Sequence, residues 1–250
     1  MSSTDSSGPL DPVEALERLG RVTLREHCMR SLLQAVADLA KEIMPGDPET
    51  SVSLLINDRS STAVFTGQLA LDCDESQYGR GYGPCLHAAG TGEVVEIADA
   101  QIETRWRDYM QHAVKCGALS SLSVPLPITE GIAGALNVYA RKPHAFDEDS
   151  RSVATRFAGY AAVVAANMYA YEEARDLAEH LERRLESRAV VEQAKGILME
   201  RYGLTADQAM QTLAQATMQT DAKIRHIADD LVRNGEFPRG VSPSINPIGG

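Results

Sequence analysis

The chain has 250 residues, an apolar content of 44% and a formal net charge of −11. The length allows one large domain or two ordinary ones, and the acidic balance excludes a protein that coats nucleic acid through general charge attraction. No apolar run approaches the roughly 20 residues of a membrane span, and residues 1–12 lack a signal-peptide core, so we expect a cytoplasmic protein with no membrane partner.

The first part of the chain is predicted to hold a tail and one helix. Residues 1–20 are assigned to a flexible tail, within which residues 13–19 could be a short helix. A helix is predicted over residues 23–43, because its apolar positions step by three and four residues and form one stripe: Cys28, Leu32, Val36, Leu39 and Ile43.

Short strands follow this helix. Residues 51–57 and 62–66 are predicted strands joined by a hairpin turn over residues 57–61, and further strands are predicted over residues 93–97, 119–126 and 132–140. A loop over residues 79–83, a short helix over residues 84–89 and a helix over residues 105–115 lie between them. Strands clustered together, with helices before and after, predict an α+β fold rather than a parallel βαβ sheet.

Two motifs in this region indicate a family. Residues 81–99 follow the pattern G-x-G-P-C-L-x-A-x-x-T-G-x-x-V-x-I-A-D, and residues 123–139 contain SVPLPI and then GALNVY. Residues 21–170 therefore resemble a GAF domain. The resemblance implies an antiparallel sheet with flanking helices, which senses a small molecule or a redox signal. Neither the ligand nor a cofactor is identified by the sequence.

A long helix is predicted to join this domain to the C-terminal part. Asp147 is a candidate N-cap, and the sequence then stays compatible with a helix as far as Tyr202. Residues 171–188 are dense in Glu, Arg and Leu, with Leu177, Leu181 and Leu185 four residues apart. We interpret this stretch as a coiled-coil connector that pairs two copies in a homodimer. The alternative is an amphipathic helix that packs on its own domain.

The most specific motif lies in the C-terminal part, over residues 189–237. Residues 192–209 read EQAKGILMERYGLTADQA, in which Gly203 is predicted to end one helix. Thr205 and Gln208 have the spacing of a capping box that begins the next helix. The motif resembles the ANTAR family, the RNA-binding antitermination module of bacterial signal-transduction proteins. The resemblance implies a three-helix unit that binds structured mRNA leaders.

Small residues are predicted to pack the helices of this unit. A glycine inside a helix costs about 1 kcal/mol relative to alanine, so Gly196 needs a reason. We predict that Ala194 and Gly196 let a second helix approach closely. Further packing positions are predicted on the second and third helices: Ala209, Leu213, Ala216 and Ala228. Residues 238–250 are assigned to a flexible tail.

Four cations of this unit are the candidate RNA-binding residues: Lys195, Arg201, Lys223 and Arg225. RNA hairpins are recognised through backbone phosphates and a few unstacked bases, which suits guanidinium and ammonium groups. The alternative is that these are solvated charges of an ordinary helical unit. The second helix departs from the family pattern, because Met210 stands where many members carry an aromatic residue.

Cys85 and Cys116 are the candidate redox-sensing residues. Cys85 follows Pro84 at a predicted helix start, where the helix dipole lowers a thiol pKa. The resemblance extends to free methionine-(R)-sulfoxide reductase, a GAF-fold enzyme with a cysteine at the position of Cys85. That enzyme holds the substrate ammonium with carboxylates, whereas this chain has neutral residues at the matching places: Ser121, Asn137 and Tyr139.

These patterns predict a regulator rather than an enzyme. No catalytic residues are expected, and the irregular spacing of the four cysteines predicts no metal site. The protein is predicted to bind paired hairpins in nascent mRNA and to prevent transcription termination. The alternatives are a dimeric sensor that signals through protein contacts without RNA binding, and a reductase-like thiol enzyme.

Overall fold

A computed structural model of the protein describes residues 9–57 and 59–238. The chain divides into two compact units, with the boundary between Glu172 and Glu173. Predictions for residues 1–8, for Asp58 of the hairpin turn and for the tail over residues 239–250 lie outside the described residues. Within the described residues, no helix combines the length and the apolar character that crossing a membrane requires.

The first unit is built on one antiparallel sheet of five strands. The strands are β1 (Glu49–Ile56), β2 (Arg59–Phe65), β3 (Val95–Ile97), β4 (Ser120–Thr129) and β5 (Ile132–Ala140). They lie in the order β2-β1-β5-β4-β3, and each neighbouring pair is antiparallel. The predicted α+β class and the antiparallel sheet are confirmed.

The helices of the first unit are α1 (Pro12–Gly20), α2 (Met29–Ile43), α3 (Gln68–Arg80), α4 (Pro84–Thr91) and α5 (Arg107–Cys116). A long helix, α6 (Glu148–Tyr202), leaves this unit and enters the second. The second unit adds α7 (Ala206–Thr220) and α8 (Ile224–Asn234).

The structure corrects two sequence predictions near the N-terminus. The short helix suggested over residues 13–19 is present as α1, so the assignment to a flexible tail is wrong over residues 12–20; the N-cap Asp11 accepts a hydrogen bond from the backbone N–H of Val13 at 2.7 Å. Ala15 and Leu19 of α1 are buried in the core, so residues 12–20 are ordered by packing. The next helix begins at Met29 rather than at residue 23.

A third correction concerns α3, which the sequence analysis did not predict. Polar residues dominate this segment, and two of its acidic and amide side chains, Asp74 and Gln77, are fully buried. A rule that places apolar residues inside therefore misses the helix. Its C-terminal Gly81 has φ +73°, a left-handed conformation that ends the helix.

Separate cores lie on the two faces of the sheet. The first core joins α1, α2 and α6 to the face that carries Leu122, Leu136 and Val138. The second joins α3, α4 and α5 to the face that carries Ala135 and Tyr139. Gly134 allows β5 to pair closely with β1, because a Cβ there would lie 2.6 Å from the backbone oxygen of Ser53.

Asp147 precedes α6 and caps its first turn, as the sequence predicts. The Asp147 carboxylate accepts hydrogen bonds from the backbone N–H and the hydroxyl of Ser150, at 2.8 and 2.7 Å. The helix then buries a stripe of residues in the first core: Ala154, Phe157, Ala158, Ala161, Ala162, Ala165 and Met168. Residues 173–186, by contrast, are exposed on all sides of the helix within their own unit.

Candidate functional site

Three helices form the core of the second unit: the end of α6, α7 and α8. The reversal between α6 and α7 is built as the sequence predicts, since Gly203 has φ +64° and Thr205 and Gln208 form a reciprocal capping box. All the predicted packing residues except one are buried in this core: Ala194, Ala209, Leu213, Ala216 and Ala228. Larger apolar side chains complete the core, among them Leu198, Ile227 and Leu231.

The exception is Gly196, for which the predicted close helix approach is wrong. Gly196 is exposed, and a Cβ added to it would meet nothing within 4 Å. It lies instead in an open groove of about 720 Å³ between α6 and α8, beside Ile197, Arg201 and Val232. Because Gly196 has no side chain, the backbone of α6 at this position is accessible to a ligand in the groove and does not contact a neighbouring helix.

The four candidate cations differ in how the fold uses them. Arg201 donates to the backbone oxygen of Gly235 at 3.1 Å, which ties the end of α6 to the C-cap of α8. Lys195 is 2.8 Å from the carboxylate of Glu192 and its side chain is only 18% exposed. This ion pair lowers the pKa of Glu192.

The remaining two cations lie where α8 begins. Lys223 is the N-cap residue, is exposed and makes no ion pair with another described residue of the unit. Arg225 lies 3.5 Å from Glu186 of α6, and both side chains of this pair are largely exposed. Exposed pairs of this kind contribute little free energy, so a phosphate can replace the carboxylate at small cost.

One exposed aromatic residue of this unit was not singled out in the sequence. Tyr202, at the end of α6, is 40% exposed, and it directly follows Arg201. Met210 of α7 is exposed to a similar degree, at 42%. A helical wheel does not distinguish a tyrosine that packs from one that is open, which is why this ring was missed.

The first unit contains a buried polar network between the sheet and α3. Its members are Ser53, Thr62, Asp74, Gln77, Tyr78, Asn137 and Tyr139. The carboxylate of Asp74 accepts hydrogen bonds from Tyr139 Oη at 2.6 Å, Thr62 Oγ1 at 2.9 Å and Asn137 Nδ2 at 3.3 Å. Each of these donors is neutral.

Burial dominates the chemistry of this network. It raises the pKa of the Asp74 carboxyl to about 6, although the hydrogen bonds it accepts act in the opposite direction. Asn137 Oδ1 is buried and has no hydrogen-bond partner. The network therefore holds a carboxyl that can change charge near neutral pH and an acceptor that is open to an N–H or O–H group.

The structure corrects the expectation of a neutral pocket. Ser121, Asn137 and Tyr139 are uncharged, but Asp74 of α3 brings a carboxylate to the same face of the sheet, in contact with Asn137 and Tyr139. This acidic residue could not be found by matching strand positions, because it comes from the helix that the sequence did not predict.

Cys85 lies beside this network but does not have the lowered thiol pKa that its helix start predicted. It is fully buried, and burial raises the pKa of its thiol well above the ordinary value. Its backbone N–H donates to Gln77 Oε1 at 2.8 Å. Gly83, at φ +156°, makes room for Gln77, since a Cβ there would lie 2.3 Å from that amide oxygen.

Cys116 ends α5 and is half-buried, with its sulfur 3.3 Å from His112 Nε2. Burial raises the pKa of this thiol also. Neither candidate cysteine is therefore set up as a reactive thiolate at neutral pH, and the described residues contain no cluster of ligands for a metal ion.

Comparison with known families agrees with this division into units. A family model described as a GAF domain matches residues 26–165. A second model, described as an ANTAR domain, matches residues 179–232. No curated protein is similar enough to the chain to count as a match.

Solved structures share the fold of the first unit. The phycoerythrobilin-bound GAF domain of a cyanobacterial phytochrome has a TM-score of 0.52 and 12% identity, covering 65% of this chain and 97% of that one. The reduced form of fRMsr of Staphylococcus aureus has a TM-score of 0.50 and 17% identity, covering 66% of this chain and 100% of that one. At these identities the likeness shows the fold alone.

Proposed function

The chain belongs to the GAF domain family and carries an ANTAR domain at residues 179–232, and from this premise we propose that it is a cytoplasmic, signal-responsive regulator that binds paired hairpins in nascent mRNA and prevents transcription termination. The observation that carries the proposal is the ANTAR match, which falls on a helical unit with its own core. The GAF domain supplies the sensor.

The surface of the ANTAR unit supports contact with folded RNA. Lys195, Lys223 and Arg225 supply charges for phosphates, and the exposed ring of Tyr202 supplies a face on which an unstacked base can lie. Gly196 leaves the backbone of α6 open to a ligand in the groove that Arg201 also lines. Arg201 has a mainly structural role, because it holds the end of α8.

The solvated stretch of α6 supports a homodimer. Residues 173–186 are all exposed among the described residues, and Leu177, Leu181 and Leu185 are 59%, 49% and 68% exposed. Helices in proteins gain most of their stability from packing an apolar face, and the leucine face of this stretch has no packing partner among the described residues. A second copy provides that partner, and the resulting pair presents two ANTAR units to two hairpins of one transcript.

The buried polar network around Asp74 supports the sensor role. A ligand with an N–H or O–H group can donate a hydrogen bond to Asn137 Oδ1. A change of charge at Asp74 alters which ligand charge the network binds best. We assign the signal to this network rather than to Cys85, because the thiol is buried and held in its neutral form. The same argument disfavours a reductase-like thiol enzyme.

RNA binding tests the proposal directly. The full chain is incubated with a pool of synthetic RNAs that carry two hairpins with randomised loop bases, and retained RNAs are sequenced and titrated by fluorescence anisotropy. We expect enrichment of a common loop sequence and a steep dependence on salt. If no RNA is retained in dilute buffer, the protein instead signals through protein contacts and the proposal is wrong.

A further inference from the structure

Helix α6 carries an exposed face inside the GAF domain as well as beyond it. Tyr160 and Val163 are each 58% exposed, although their neighbours Phe157, Ala161 and Ala162 are buried in the first core. Asn167 and Ala170 are exposed on the same side of the helix. At 100° per residue, these positions lie opposite the buried stripe of α6. No described residue covers them.

The exposed positions follow a heptad repeat. Steps of three and four residues connect a series that we name the heptad stripe: Tyr160, Val163, Asn167, Ala170, Ala174, Leu177 and Leu181. Tyr160, Asn167, Ala174 and Leu181 take the a positions, and Val163, Ala170 and Leu177 take the d positions. The repeat that begins in the GAF domain thus continues without a break into the leucines of the connector.

Asn167 is the polar residue of the heptad stripe. An asparagine at a single a position lowers the stability of a coiled coil but selects its register and the number of strands, because two asparagines hydrogen-bond across the interface. An antiparallel pair centred on Asn167 would place Leu177 against Phe157, which is buried in its own core. Only the parallel, in-register pair joins the asparagines and keeps the leucines together.

A second apolar surface lies beside the start of the stripe. Val13 of α1 is 63% exposed, and α1 and α6 form an open groove of about 290 Å³ lined by Val13, Leu16, Phe157 and Tyr160. Exposed apolar residues that cluster in this way mark a contact surface. A second copy aligned along α6 brings its own Tyr160 to this region.

We propose that the homodimer interface begins inside the GAF domain, at Tyr160, and that paired Asn167 side chains fix the two α6 helices parallel and in register. The inference rests on the homodimer of the proposed function and extends it. Because the same helix buries its other face in the sensor core, any change in that core reaches the helix pair within the domain, before the connector begins.

Sedimentation of full-length variants tests where the interface begins. Val163→Glu is expected to raise the dimer dissociation constant by at least tenfold, as is Leu177→Glu. Thr155→Glu is the control, because Thr155 is exposed on α6 at a c position outside the stripe. If Val163→Glu behaves like Thr155→Glu while Leu177→Glu dissociates, the interface is confined to the connector and the inference is wrong, although the homodimer stands.

Cysteine cross-linking tests the register. In a chain with Cys28→Ser and Cys116→Ser, the variant Leu177→Cys is treated with oxidised glutathione, which accepts the electrons as two thiols join. We expect a covalent dimer from Leu177→Cys, which meets its own copy only in the parallel, in-register pair, and none from Thr155→Cys. Equal yields from the two variants contradict the pairing. If the unmodified chain sediments as a monomer at micromolar concentration, both this inference and the proposed homodimer fail, whereas RNA binding is tested separately.

Discussion

Asp74 is a buried carboxyl group surrounded by neutral donors, and its titration affects the stability of the GAF domain. Its pKa in the folded protein, about 6, lies above the ordinary value of 3.8. Between these two values the folded state binds more protons than the unfolded state does. The free energy of unfolding therefore falls as the pH rises from 4 to 6, by about 2 kcal/mol for this group.

Replacing Asp74 by Asn is expected to remove this contribution. The unfolding free energy of Asp74→Asn, relative to that of the unmodified chain, then rises by about 2 kcal/mol from pH 4 to pH 7. Urea unfolding followed by the fluorescence of Trp106, the single tryptophan, reports on this domain. Glu75→Gln, exposed on the same helix, is the control. Parallel pH profiles for Asp74→Asn and the unmodified chain would contradict the account.

Gly196 separates a structural role from a functional one. Because a Cβ at this position meets nothing, Gly196→Ala is expected to stabilise the ANTAR unit by about 1 kcal/mol. Gly203→Ala, at φ +64°, is expected to destabilise the same unit. Hydrogen exchange of the α7 and α8 amides measures both effects. RNA affinity should fall for Gly196→Ala in spite of the added stability, and unchanged affinity would remove Gly196 from the interface.

Lys195 is expected to contact a phosphate after exchanging its ion pair with Glu192 for one with RNA. Lys195→Ala should then reduce the slope of log affinity against log salt by about 0.7. Lys115→Ala makes the same charge change on the GAF domain and should leave the slope as it is. An equal slope for all three proteins would show that Lys195 does not touch RNA.

At the scale of the elements, the turn between α6 and α7 reverses the chain so that the two helices pack in one core. Thr205 accepts a hydrogen bond from the backbone N–H of Gln208, and the Gln208 side chain accepts one in return from Thr205. Thr205→Ala is expected to destabilise the unit by about 1 kcal/mol. Faster exchange of the first amides of α7, with the sensor amides unchanged, would support this, and uniform exchange across the chain would not.

The same elements show what a sequence can reveal. The capping box, the Gly203 helix end and the long α6 helix follow from local patterns, and all three are confirmed. Helix α3 was missed because its buried face carries Asp74 and Gln77, whose burial depends on partners from distant strands. The role of Gly196 was misinterpreted because a glycine is compatible both with a close crossing of two helices and with an open groove. Only the atoms around the glycine in the folded protein distinguish the two cases.

At the scale of the molecule, one helix belongs to both units. Helix α6 packs in the core of the GAF domain, carries the heptad stripe on its other face and ends as the first helix of the ANTAR unit. In this account the sensor changes how two copies of α6 pair, and the pairing changes how two ANTAR units meet two hairpins. The signal is therefore expected to shift the populations of two arrangements of the α6 pair, without a chemical reaction in the protein.

The affinity ratio for two-hairpin and one-hairpin RNAs tests this account most directly. Anisotropy titrations of the full chain use the same selected hairpin, either alone or duplicated in one strand. We predict that the duplicated RNA binds at least about tenfold tighter, because the second contact is intramolecular, and that Leu177→Glu abolishes the difference. Equal affinity for the two RNAs, or no binding to either in dilute buffer, would contradict the central claim that paired ANTAR units engage paired hairpins.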